Sequence, residues 1–522
     1  MYDVVVIGGG AAGLSGAVTL ARSRRSVLVV DSGEPRNAPA GNVHNLLGRE
    51  GVPPAELVAA GRAELASYGG EVISGRAERA SRTGEEGFTV VLEGGREVQG
   101  RRLLVATGLV DELPDIPGLA GRWGRDLAHC PYCHGWELRG KRIGVLASGP
   151  LSLHQAQLWR QLSEDVVYLL NGAPLPVPDR AEELAARSIP VVAEPIAEVM
   201  IKDDEISGVR LDDGRVIELA AIAVGPRFVA RGAILSSLGL EPADMEMNGH
   251  VVGRRIPAEE SGATAVPGVW VAGNVTNLGA TVAVAAAAGQ TAGAMINMDL
   301  IAAETREAVA GYRRRQVEMH RRETWEERYR ERPSIWSGKP NAQLVAEVAG
   351  LRAGRALDVG CGEGADAVWL AEHGWQVTGV DISTVALSRA AEHAAAAGLA
   401  ERITFTGADL RAEPPAPRSY DLVSAHFMHL PSADRTELYA RLADAVAPGG
   451  TLLIVGHHPS DLASAARRMH FPDMMFTPEE IAEPLGPQDW TVTVAATRPR
   501  VAKGPEGDEI TVHDSVLVAH RR

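Results

Sequence analysis

The glycine-rich stretch YDVVVIGGGAAG occupies residues 2–13. Its apolar first half favours a strand buried on both faces of a parallel sheet, and a helical pattern follows the glycines. The next strand-like run, VLVV, ends at Asp31, which lies 18 residues beyond Gly13. This succession of strand, glycine loop, helix and acid predicts a βαβ unit that binds a dinucleotide, with the acid on a ribose hydroxyl.

The composition narrows the fold class and the partners. The 522 residues are 45% hydrophobic and 23% charged, and abundant Ala and Gly favour several α/β domains. The net charge of −15 repels phosphate backbones and anionic lipids, so neither nucleic acid nor a membrane is expected as a partner. Three cysteines and the lack of an N-terminal secretion pattern favour the cytoplasm.

An alanine-rich stretch at 280–296 has the look of a membrane span. Gly289, Gln290, Thr291 and Gly293 interrupt it, and its 17 residues are short for a bilayer. The pattern therefore predicts a buried helix.

Two later segments carry a family resemblance. Ala106-Thr107-Gly108 follows a strand-like run, and GVWVAGN at 268–274 precedes the alanine-rich helix. With the glycine loop, they make the chain resemble the two-domain flavoprotein disulfide reductases of the low-molecular-weight thioredoxin reductase type. In that family these segments complete the FAD site, although Asn274 stands where the family usually has Asp.

The resemblance implies an α/β disulfide reductase fold and commonly a homodimer. Its FAD-binding domain would comprise residues 1–118 and 227–300, and a nicotinamide-nucleotide type of domain would be inserted at 119–226. The candidate FAD-binding residues are Gly8, Gly10, Ala12, Gly13, Asp31, Arg36, Asn37, Asn45, Thr107, Gly108, Gly273 and Asn274.

The motif CPYCHG at 130–135 has three interpretations. A zinc site needs four ligands, and only the adjacent His129 and His134 lie near the two cysteines in sequence, so no metal is expected. A structural disulfide across so short a loop would add little stability. Redox catalysis is favoured, and the reductases that this chain resembles carry their dithiol here. That resemblance implies that Cys133 faces the flavin and Cys130 exchanges with substrate.

His134 stands where thioredoxin reductases usually have an Asp that acts as acid or base. An imidazole, with an ordinary pKa of about 6.5, accepts a thiol proton at neutral pH better than a carboxylate does. His134 is therefore a candidate base for dithiol oxidation, with His129 in reserve.

The inserted domain departs from a nicotinamide-nucleotide site. ASGPLS at 147–152 stands where G-x-G-x-x-A is expected, and Asn171-Gly172 follows the next strand without an arginine pair. NADPH or NADH binding is left open. With the CPYCHG motif, this half resembles the dithiol oxidases that close disulfides in gliotoxin- and holomycin-type metabolites and return electrons to oxygen.

A second nucleotide-type unit follows a charged segment. Half of residues 301–332 are charged, which predicts a solvated helical connector, assigned to 301–324. ALDVGCGEG at 356–364 and an acid at Asp381 then resemble the class I S-adenosylmethionine-dependent methyltransferases, whose domain would span 325–522. The acid before the glycines suits a cationic amino-acid group rather than a pyrophosphate.

Later segments agree with that resemblance. Residues 407–410 fall where the family contacts adenine, and 447–452 matches the turn into its fifth strand. The candidate residues for binding S-adenosylmethionine are Asp358, Gly360, Gly362, Gly364, Asp381, Ile382, Asp409 and Leu410.

The methyl acceptor is suggested by weaker signals. The Asn/Asp-Pro-Pro-Tyr motif of amino-directed methyltransferases is absent, since residues 424–427 read SAHF. WEERY at 325–329 and WSGKPN at 336–341 resemble the opening of thiopurine and tellurite-resistance methyltransferases, which favours a soft nucleophile such as sulfur. His426 is the candidate catalytic base and His429 an alternative, while a packing role remains open for both.

These inferences predict a bifunctional enzyme. The first half would exchange electrons between Cys130–Cys133 and a small dithiol or disulfide, and the second would methylate a small thiol-like nucleophile. One alternative is an NAD(P)H-dependent reductase of thioredoxin or of small disulfides, fused to a methyltransferase. Another is a flavin redox sensor that regulates the methyltransferase.

Overall fold

A computed structural model describes residues 1–84, 87–149, 151–247, 249–318, 321–463, 471–503 and 507–522. Pro150 of the predicted nucleotide turn and residues 319–320 of the predicted connector lie outside the described residues. The chain divides into two units, Met1–Thr305 and Arg306–Arg522.

The first unit is built from short strands and a few helices. Its strands are β1 (Tyr2–Ile7), β2 (Val27–Asp31), β3 (Glu71–Ser74), β4 (Ala77–Thr83), β5 (Gly87–Leu92), β6 (Glu97–Val105), β7 (Leu109–Glu112), β8 (Leu127–Ala128), β9 (Ile143–Leu146), β10 (Val166–Leu169), β11 (Val191–Val192), β12 (Ile196–Lys202), β13 (Glu205–Leu211), β14 (Val216–Glu218), β15 (Ala221–Ala223), β16 (Arg227–Ala230), β17 (Ala243–Met247), β18 (His250–Arg255) and β19 (Val269–Val271). Its helices are α1 (Ala11–Arg22), α2 (Pro54–Ser67), α3 (Pro131–His134), α4 (Ser152–Leu162), α5 (Pro178–Ala186), α6 (Ala233–Ser236) and α7 (Val282–Glu318), with 3-10 turns at Ala120–Arg122 and Gly273–Val275.

The main sheet of this unit has the strand order β3-β2-β1-β6-β5-β4, and β19 pairs with β6. Strands β1, β2, β6 and β19 run parallel, so their carboxyl ends meet at one edge. Gly8, Asp31, Thr107 and Gly273 all lie at or just beyond those ends. The sheet therefore collects distant sequence motifs where open α/β sheets bind their ligands.

Helix α7 packs against α1 through small residues. A Cβ at Gly289 would lie 1.9 Å from the carbonyl oxygen of Ala12, and one at Gly293 would lie 2.7 Å from that of Gly16. The helix extends beyond the predicted 280–296. Its charged second half remains α-helical and carries it past residue 305. Among the residues that the structure describes, no helix has the length and apolar character that a bilayer crossing needs.

The region between the two parts of the main sheet forms its own sheets. A five-stranded sheet has the order β11-β10-β9-β15-β8, and β12-β13-β14 form a three-stranded sheet beside it. A further sheet, β17-β18-β16-β7, joins strands from before and after this region. The reductase-like α/β architecture predicted from the sequence is confirmed.

The second unit is a mostly parallel sheet with helices. Its strands are β20 (Arg355–Val359), β21 (Gln376–Asp381), β22 (Ile403–Gly407), β23 (Tyr420–His426), β24 (Val446–His457), β25 (Trp490–Lys503) and β26 (Glu509–Arg521). Its helices are α8 (Arg322–Glu331), α9 (Ala342–Val348), α10 (Ala365–Glu372), α11 (Thr384–Ala396), α12 (Ser432–Ala445) and α13 (Pro478–Ala482), with 3-10 turns at Ala400–Arg402, Pro459–Ala463 and Pro472–Met474.

The strand order in this unit is β22-β21-β20-β23-β24-β26-β25. Strands β20 to β24 pair in parallel, and β26 is antiparallel to both of its neighbours. The parallel register places the loop after Val359 beside the ends of β21 and β23, at Asp381 and His426. The predicted methyltransferase-type fold is confirmed, and its candidate residues lie at one edge of the sheet.

Candidate active sites

A cavity of about 1750 Å³ opens along the main sheet of the first unit. Its volume exceeds the several hundred Å³ of a typical small-ligand site, so it has room for an extended dinucleotide. Both the predicted FAD-binding residues and the CPYCHG motif contribute to its wall. The sequence candidates that line it are Gly8, Gly10, Ala12, Asp31, Arg36, Asn37, Thr107, Gly108, Cys130, Cys133, His134, Gly273 and Asn274.

The glycine loop has the geometry that a pyrophosphate requires. Gly8 adopts a positive φ of 105°, and a Cβ there would lie 2.4 Å from the Ala106 carbonyl oxygen. A Cβ at Gly13 would collide with the carbonyl oxygen of Gly8, which places Gly13 beneath the loop rather than in the cavity wall. Apart from the chain adjoining Gly10, no atom of the described residues lies within 4 Å of a Cβ built at Gly10, which lines the cavity. These features fit FAD.

Asp31 holds the loop and remains in the cavity wall. Its Oδ1 accepts a hydrogen bond from the Gly9 amide at 3.1 Å, and its Oδ2 pairs with Arg62. The Nε of Arg62 is buried without a partner among the described residues. The predicted contact of Asp31 with a ribose hydroxyl stays a prediction, and Arg62 is a neighbour that the sequence did not indicate.

Three other candidate FAD-binding residues form hydrogen bonds or ion pairs with other residues of the chain. Arg36 makes a two-pronged ion pair with Asp111, at 2.6 and 2.8 Å. The Thr107 hydroxyl donates to the Arg231 carbonyl at 2.7 Å. Asn45 lies outside the cavity wall and donates from Nδ2 to the carbonyl of Tyr132 at 2.6 Å, so it contacts the redox motif.

Asn274 organises the turn before α7. Its Nδ2 lies 3.1, 3.3 and 3.0 Å from the carbonyl oxygens of Asn277, Leu278 and Ala280. A carboxylate at this position could not donate to any of them. The amide therefore has a structural reason to replace the aspartate that the resembled family usually carries.

Cys130 and Cys133 form a disulfide with a Cα–Cα distance of 5.2 Å. Cys130 immediately precedes α3, and Pro131 begins that helix. Both cysteines line the cavity that the glycine loop enters. Tyr132 and Trp136 are 72% and 68% exposed beside them, so the disulfide is flanked by accessible aromatic rings.

His134 also lines the cavity, and neither of its ring nitrogens has a hydrogen-bond partner in the part of the chain that the structure describes. Burial lowers the pKa of His134, and the charge of His44 lowers it further, while Glu137 opposes them. The imidazole is thus neutral at pH 7 and able to accept a proton. His129 has a pKa lowered by burial and packs edge-on against Phe228 at 5.1 Å.

In the turn after β9, a serine hydroxyl binds backbone amides of the same turn. The buried Ser152 hydroxyl accepts hydrogen bonds at 3.1 Å from the amides of Ser148 and Gly149. The Ser148 hydroxyl in turn donates to the Gly225 carbonyl at 2.8 Å. In a nucleotide site such turn amides are free to bind phosphate. Here two of these amides already donate hydrogen bonds to the Ser152 hydroxyl.

In the second unit, Asp358 is buried under the glycine loop. Its side chain is 2% exposed, and its Oδ2 has no partner among the described residues. Burial raises the pKa of Asp358, and the charge of Asp366 raises it further. A buried carboxylate oxygen without a donor suits a cationic group, so the site fits the amino-acid end of S-adenosylmethionine. Gly360, Gly362 and Gly364 all have positive φ, which shapes the loop above it.

Asp381 follows β21 and braces the same loop. It accepts hydrogen bonds from the amides of Gly362 and Ser383, each at 2.9 Å. Burial raises the pKa of Asp381. Ile382 is the next residue, half-buried at the strand end. The predicted contacts of both with the methyl donor stay predictions.

Asp409 is engaged by a neighbouring cation. Arg411 binds it in a two-pronged ion pair at 2.9 and 2.7 Å, and this pairing lowers the pKa of Asp409. Leu410 packs against the core of the second unit. The adenine contact predicted for this pair remains a prediction.

Two aromatic residues from the region before β20 cover the loop. The Trp336 indole N–H donates to the Tyr329 hydroxyl at 2.9 Å. A Cβ at Gly362 would lie 3.0 to 3.1 Å from these two groups. Glu363 fixes this cover by accepting from the Trp336 amide at 3.2 Å and from Arg389 at 2.9 Å. Cys361 is a free, buried cysteine within the loop.

The two candidate histidines have different partners. His426 Nδ1 lies 2.7 Å from Asp366 Oδ2, whereas His429 Nε2 lies 3.1 Å from His457 Nε2. Asp366 is in the first turn of α10, and its distance of 60 residues from His426 in the chain hides the pair from the sequence pattern.

Comparison with known proteins assigns both units. The profile of the pyridine nucleotide-disulphide oxidoreductases matches residues 2–289. The chain belongs to this family. The profile of a methyltransferase domain matches residues 356–450, so the pyridine nucleotide-disulphide oxidoreductase carries a C-terminal methyltransferase domain. Both resemblances inferred from the motifs are confirmed, and the chain is an enzyme.

Individual relatives cover the first unit. Thioredoxin reductase tcpT of Claviceps purpurea is 32% identical over 317 residues, which are 58% of this chain and 95% of that protein. The crystal structure of HlmI is similar with a TM-score of 0.56 and 42% identity, over 60% of this chain and 96% of HlmI. The oxidoreductase from Agrobacterium tumefaciens has a TM-score of 0.54 and 35% identity, over 57% of this chain and 98% of its own.

Proposed function

We propose that the first unit is an FAD-dependent thiol–disulfide oxidoreductase that exchanges electrons between Cys130–Cys133 and a small dithiol. One observation carries this proposal: the disulfide and the glycine loop line the same cavity. The physical requirement for electron exchange, a redox pair within reach of the cofactor, is thereby supported.

The chain's own residues supply the sulfur and proton chemistry. A substrate thiolate attacks Cys130 Sγ, the bond to Cys133 breaks, and Cys133 leaves as a thiolate. The second substrate thiolate then displaces Cys130 and releases the product disulfide. His134 would accept thiol protons, because burial lowers its pKa and favours the neutral imidazole, and neither ring nitrogen has a hydrogen-bond partner within the described residues. FAD, held by the glycine loop, would supply the two-electron acceptor for the reduced Cys130–Cys133 pair, with oxygen as the proposed final oxidant.

The electron donor is inferred to be the dithiol rather than a nicotinamide. Ser152 already binds the turn amides that a dinucleotide phosphate would use. Binding NADPH or NADH would require those hydrogen bonds to break. This cost favours the oxidase direction over the reductase direction.

The test is anaerobic reduction of the flavin in the purified full-length chain, followed by its absorbance. We expect dithiothreitol to bleach the flavin rapidly and NADH and NADPH to bleach it slowly or not at all. In air, dithiothreitol should consume oxygen and form peroxide. Cys130→Ser and Cys133→Ser should abolish dithiol turnover. Rapid bleaching by NADPH with no reaction of the dithiol would contradict the proposed direction.

The reductase alternative has a specific observation in its favour. Relatives such as the Claviceps purpurea protein are named thioredoxin reductases, and the exposed Tyr132 and Trp136 leave the disulfide accessible to a protein partner. Under this alternative NADPH would be the reductant and oxidised thioredoxin the acceptor. Adding thioredoxin to the NADPH assay separates the two.

We also propose that the second unit transfers the methyl group of S-adenosylmethionine to a small, soft nucleophile such as a thiol. Asp358 Oδ2, which is buried and has no partner in the described part of the chain, supports binding of the cationic donor. Asp358→Asn should weaken S-adenosylmethionine binding in calorimetry by about tenfold or more, since a buried charge pair is lost. An unchanged affinity would contradict this role.

We also propose an assembly state and a cellular location for the protein. The relatives' type of fold favours a homodimer, and the low cysteine content favours the cytoplasm. Light scattering of the purified chain checks the dimer.

A further inference from the structure

A histidine–aspartate pair lies where β23 ends and α10 begins. Asp366 Oδ2 is 2.7 Å from Nδ1 of His426, and Asp366 Oδ1 accepts from the Asn341 amide at 2.6 Å. The carboxylate is thus held on both oxygens, and the imidazole ring is oriented by it.

This contact fixes the tautomer of the neutral ring. A carboxylate only accepts, so Nδ1 carries the proton and Nε2 presents a lone pair. The His426 side chain is 7% exposed, and its Nε2 is itself buried and has no partner among the described residues, so an acceptor must reach it from within the site. The other candidate, His429, lies with its Nε2 3.1 Å from Nε2 of His457.

We propose that His426 is the general base of the methyl transfer and that Asp366 is its positioning residue. The inference rests on the proposed methyltransferase activity of the second unit and narrows its acceptor. A base is needed only where the acceptor still carries its proton at neutral pH, so the acceptor is an alkyl thiol or a hydroxyl rather than a ready-made thiolate.

The step balances without a further reactant. The acceptor's S–H or O–H proton moves to His426 Nε2 as the acceptor atom bonds to the methyl carbon. The bond from that carbon to the sulfonium sulfur breaks, and its electron pair stays on that sulfur. The imidazolium, stabilised by Asp366, returns its proton to solvent after the product leaves.

The charges around the ring favour this role. Burial alone would lower the pKa of His426, but the hydrogen bond and charge of Asp366, with the charge of Asp358, raise it above the ordinary value. Asp358, Asp366 and His426 have polar atoms within 4.8 Å of one another. Asp366→Asn should therefore lower the pKa of His426.

The first experiment measures the pKa and tautomer of His426, paired with Asp366, in the absence of substrate and cofactor. In ¹⁵N-histidine NMR of the full chain, His426→Asn identifies the His426 signal by its loss. We expect a wild-type pKa above about 6.5, the ordinary histidine value, and Nδ1–H as the neutral tautomer. Asp366→Asn should lower that pKa. The inference is overturned by a His426 pKa that Asp366→Asn leaves in place, or by a shift that EDTA removes, which would assign the groups to a bound cation.

The second experiment compares two probe acceptors, benzyl mercaptan and the more acidic 4-nitrothiophenol. His426→Asn should lower kcat about a hundredfold with benzyl mercaptan, as for loss of a general base, and far less with 4-nitrothiophenol. Asp366→Asn should move the acidic limb of the benzyl mercaptan pH profile to lower pH. His373→Asn, an exposed histidine of the same unit, is the matched control and should change neither.

Each other outcome has a separate meaning. Equal losses with both thiols, a larger loss from His429→Asn, or a collapse of S-adenosylmethionine affinity in His426→Asn would overturn the assignment. If the wild type methylates neither of the two thiols, the proposed thiol acceptor is contradicted instead, and the NMR titration still decides whether the pair exists.

Discussion

Asn274 acts through a nitrogen atom that an aspartate would lack. Its amide lies within hydrogen-bond distance of three carbonyl oxygens in the turn before α7. That turn borders the cavity, because Gly273 and Asn274 both contribute to the wall. One side chain therefore couples the backbone of the turn to the cofactor site.

Asn274→Asp should weaken flavin retention and lower the unfolding midpoint. A carboxylate would face carbonyl oxygens without a donor, at a cost of about 1–3 kcal/mol. The matched control is Asn277→Asp, since Asn277 Oδ1 only accepts, from the Gly279 amide at 3.2 Å. The measurements are flavin content after gel filtration and thermal unfolding. Equal behaviour of the two variants would show that the donor is unimportant.

Burial lowers the pKa of His134, and under the proposed function this predicts the pH dependence of dithiol oxidation. Because its pKa is lowered, the neutral base persists below the ordinary histidine pKa of about 6.5. The acidic limb of kcat for dithiothreitol oxidation should lie below that value. Glu137→Gln should move it lower still, since Glu137 raises the pKa, and the exposed His154→Asn should leave it unchanged. A limb that rises in Glu137→Gln would contradict the assignment.

The same shift has a consequence for stability. The unfolded chain binds the proton of this histidine more readily than the folded chain does. The contribution of His134 to folding is therefore present above the ordinary histidine pKa. It is lost as the pH falls through that value towards the lower folded pKa.

At the scale of elements, the contact of α1 with α7 positions the glycine loop. Gly289 lets α7 approach the backbone of Ala12, which belongs to the loop's own helix. A displaced α7 would carry α1 and the cavity wall with it. Close packing of small residues here is thus a condition for the cofactor site.

Gly289→Ala should lower the unfolding midpoint and the flavin content, because the added Cβ meets backbone that cannot move aside. Overpacking of this kind costs about 1–3 kcal/mol. The matched control is Gly311→Ala in the same helix, where only arginine side chains lie nearby, at 3.6 Å and beyond. That variant should be stabilised by up to about 1 kcal/mol through helix propensity. Thermal unfolding, followed together with flavin fluorescence, shows whether each variant raises or lowers the unfolding midpoint. A stabilised Gly289→Ala would refute the packing argument.

At the scale of the whole molecule, one chain carries two chemistries. The pyridine nucleotide-disulphide oxidoreductase match and the methyltransferase match fall on separate stretches of sequence. Linking two activities raises the local concentration of any intermediate that they share. The redox-sensor alternative instead makes the first unit a regulator of the second.

Cys133→Ser should abolish dithiol turnover while methylation of a thiol probe stays within about twofold of wild type. The converse variant, Asp358→Asn, should lose methylation and keep dithiol-driven bleaching of the flavin. The physical reason is that each residue lies in its own site. A methylation rate that follows the redox state of the cysteines in the wild type, and ceases to do so in Cys133→Ser, would favour the sensor.

Much of the fold could be predicted because its signals are local. The loops around Gly8 and Gly360 need backbone conformations that restrict the sequence at fixed spacing, and each follows an apolar strand. Boundaries were less predictable. Helix α7 continues to Glu318, so the predicted buried helix and most of the predicted helical connector form one helix without a break between them.

The candidate sites could be predicted only in part. The sequence identified His426 and Asn274 but not the groups that orient them, which lie 60 residues away in one case and in backbone carbonyls in the other. Asp366, Arg62 and Ser152 carry no motif. Their roles depend on which side chains the fold brings together.

The sequence by itself determined the two nucleotide-type units, the position of the cysteine pair and the glycine loops, because strand periodicity and motif spacing are short-range properties of the chain. Only the tertiary structure decided that the disulfide shares a cavity with the first loop, and that Asp366 orients His426. Such contacts join residues that are distant along the chain. The path of the backbone and the packing of the sheets bring them together, and neither is written in a local pattern.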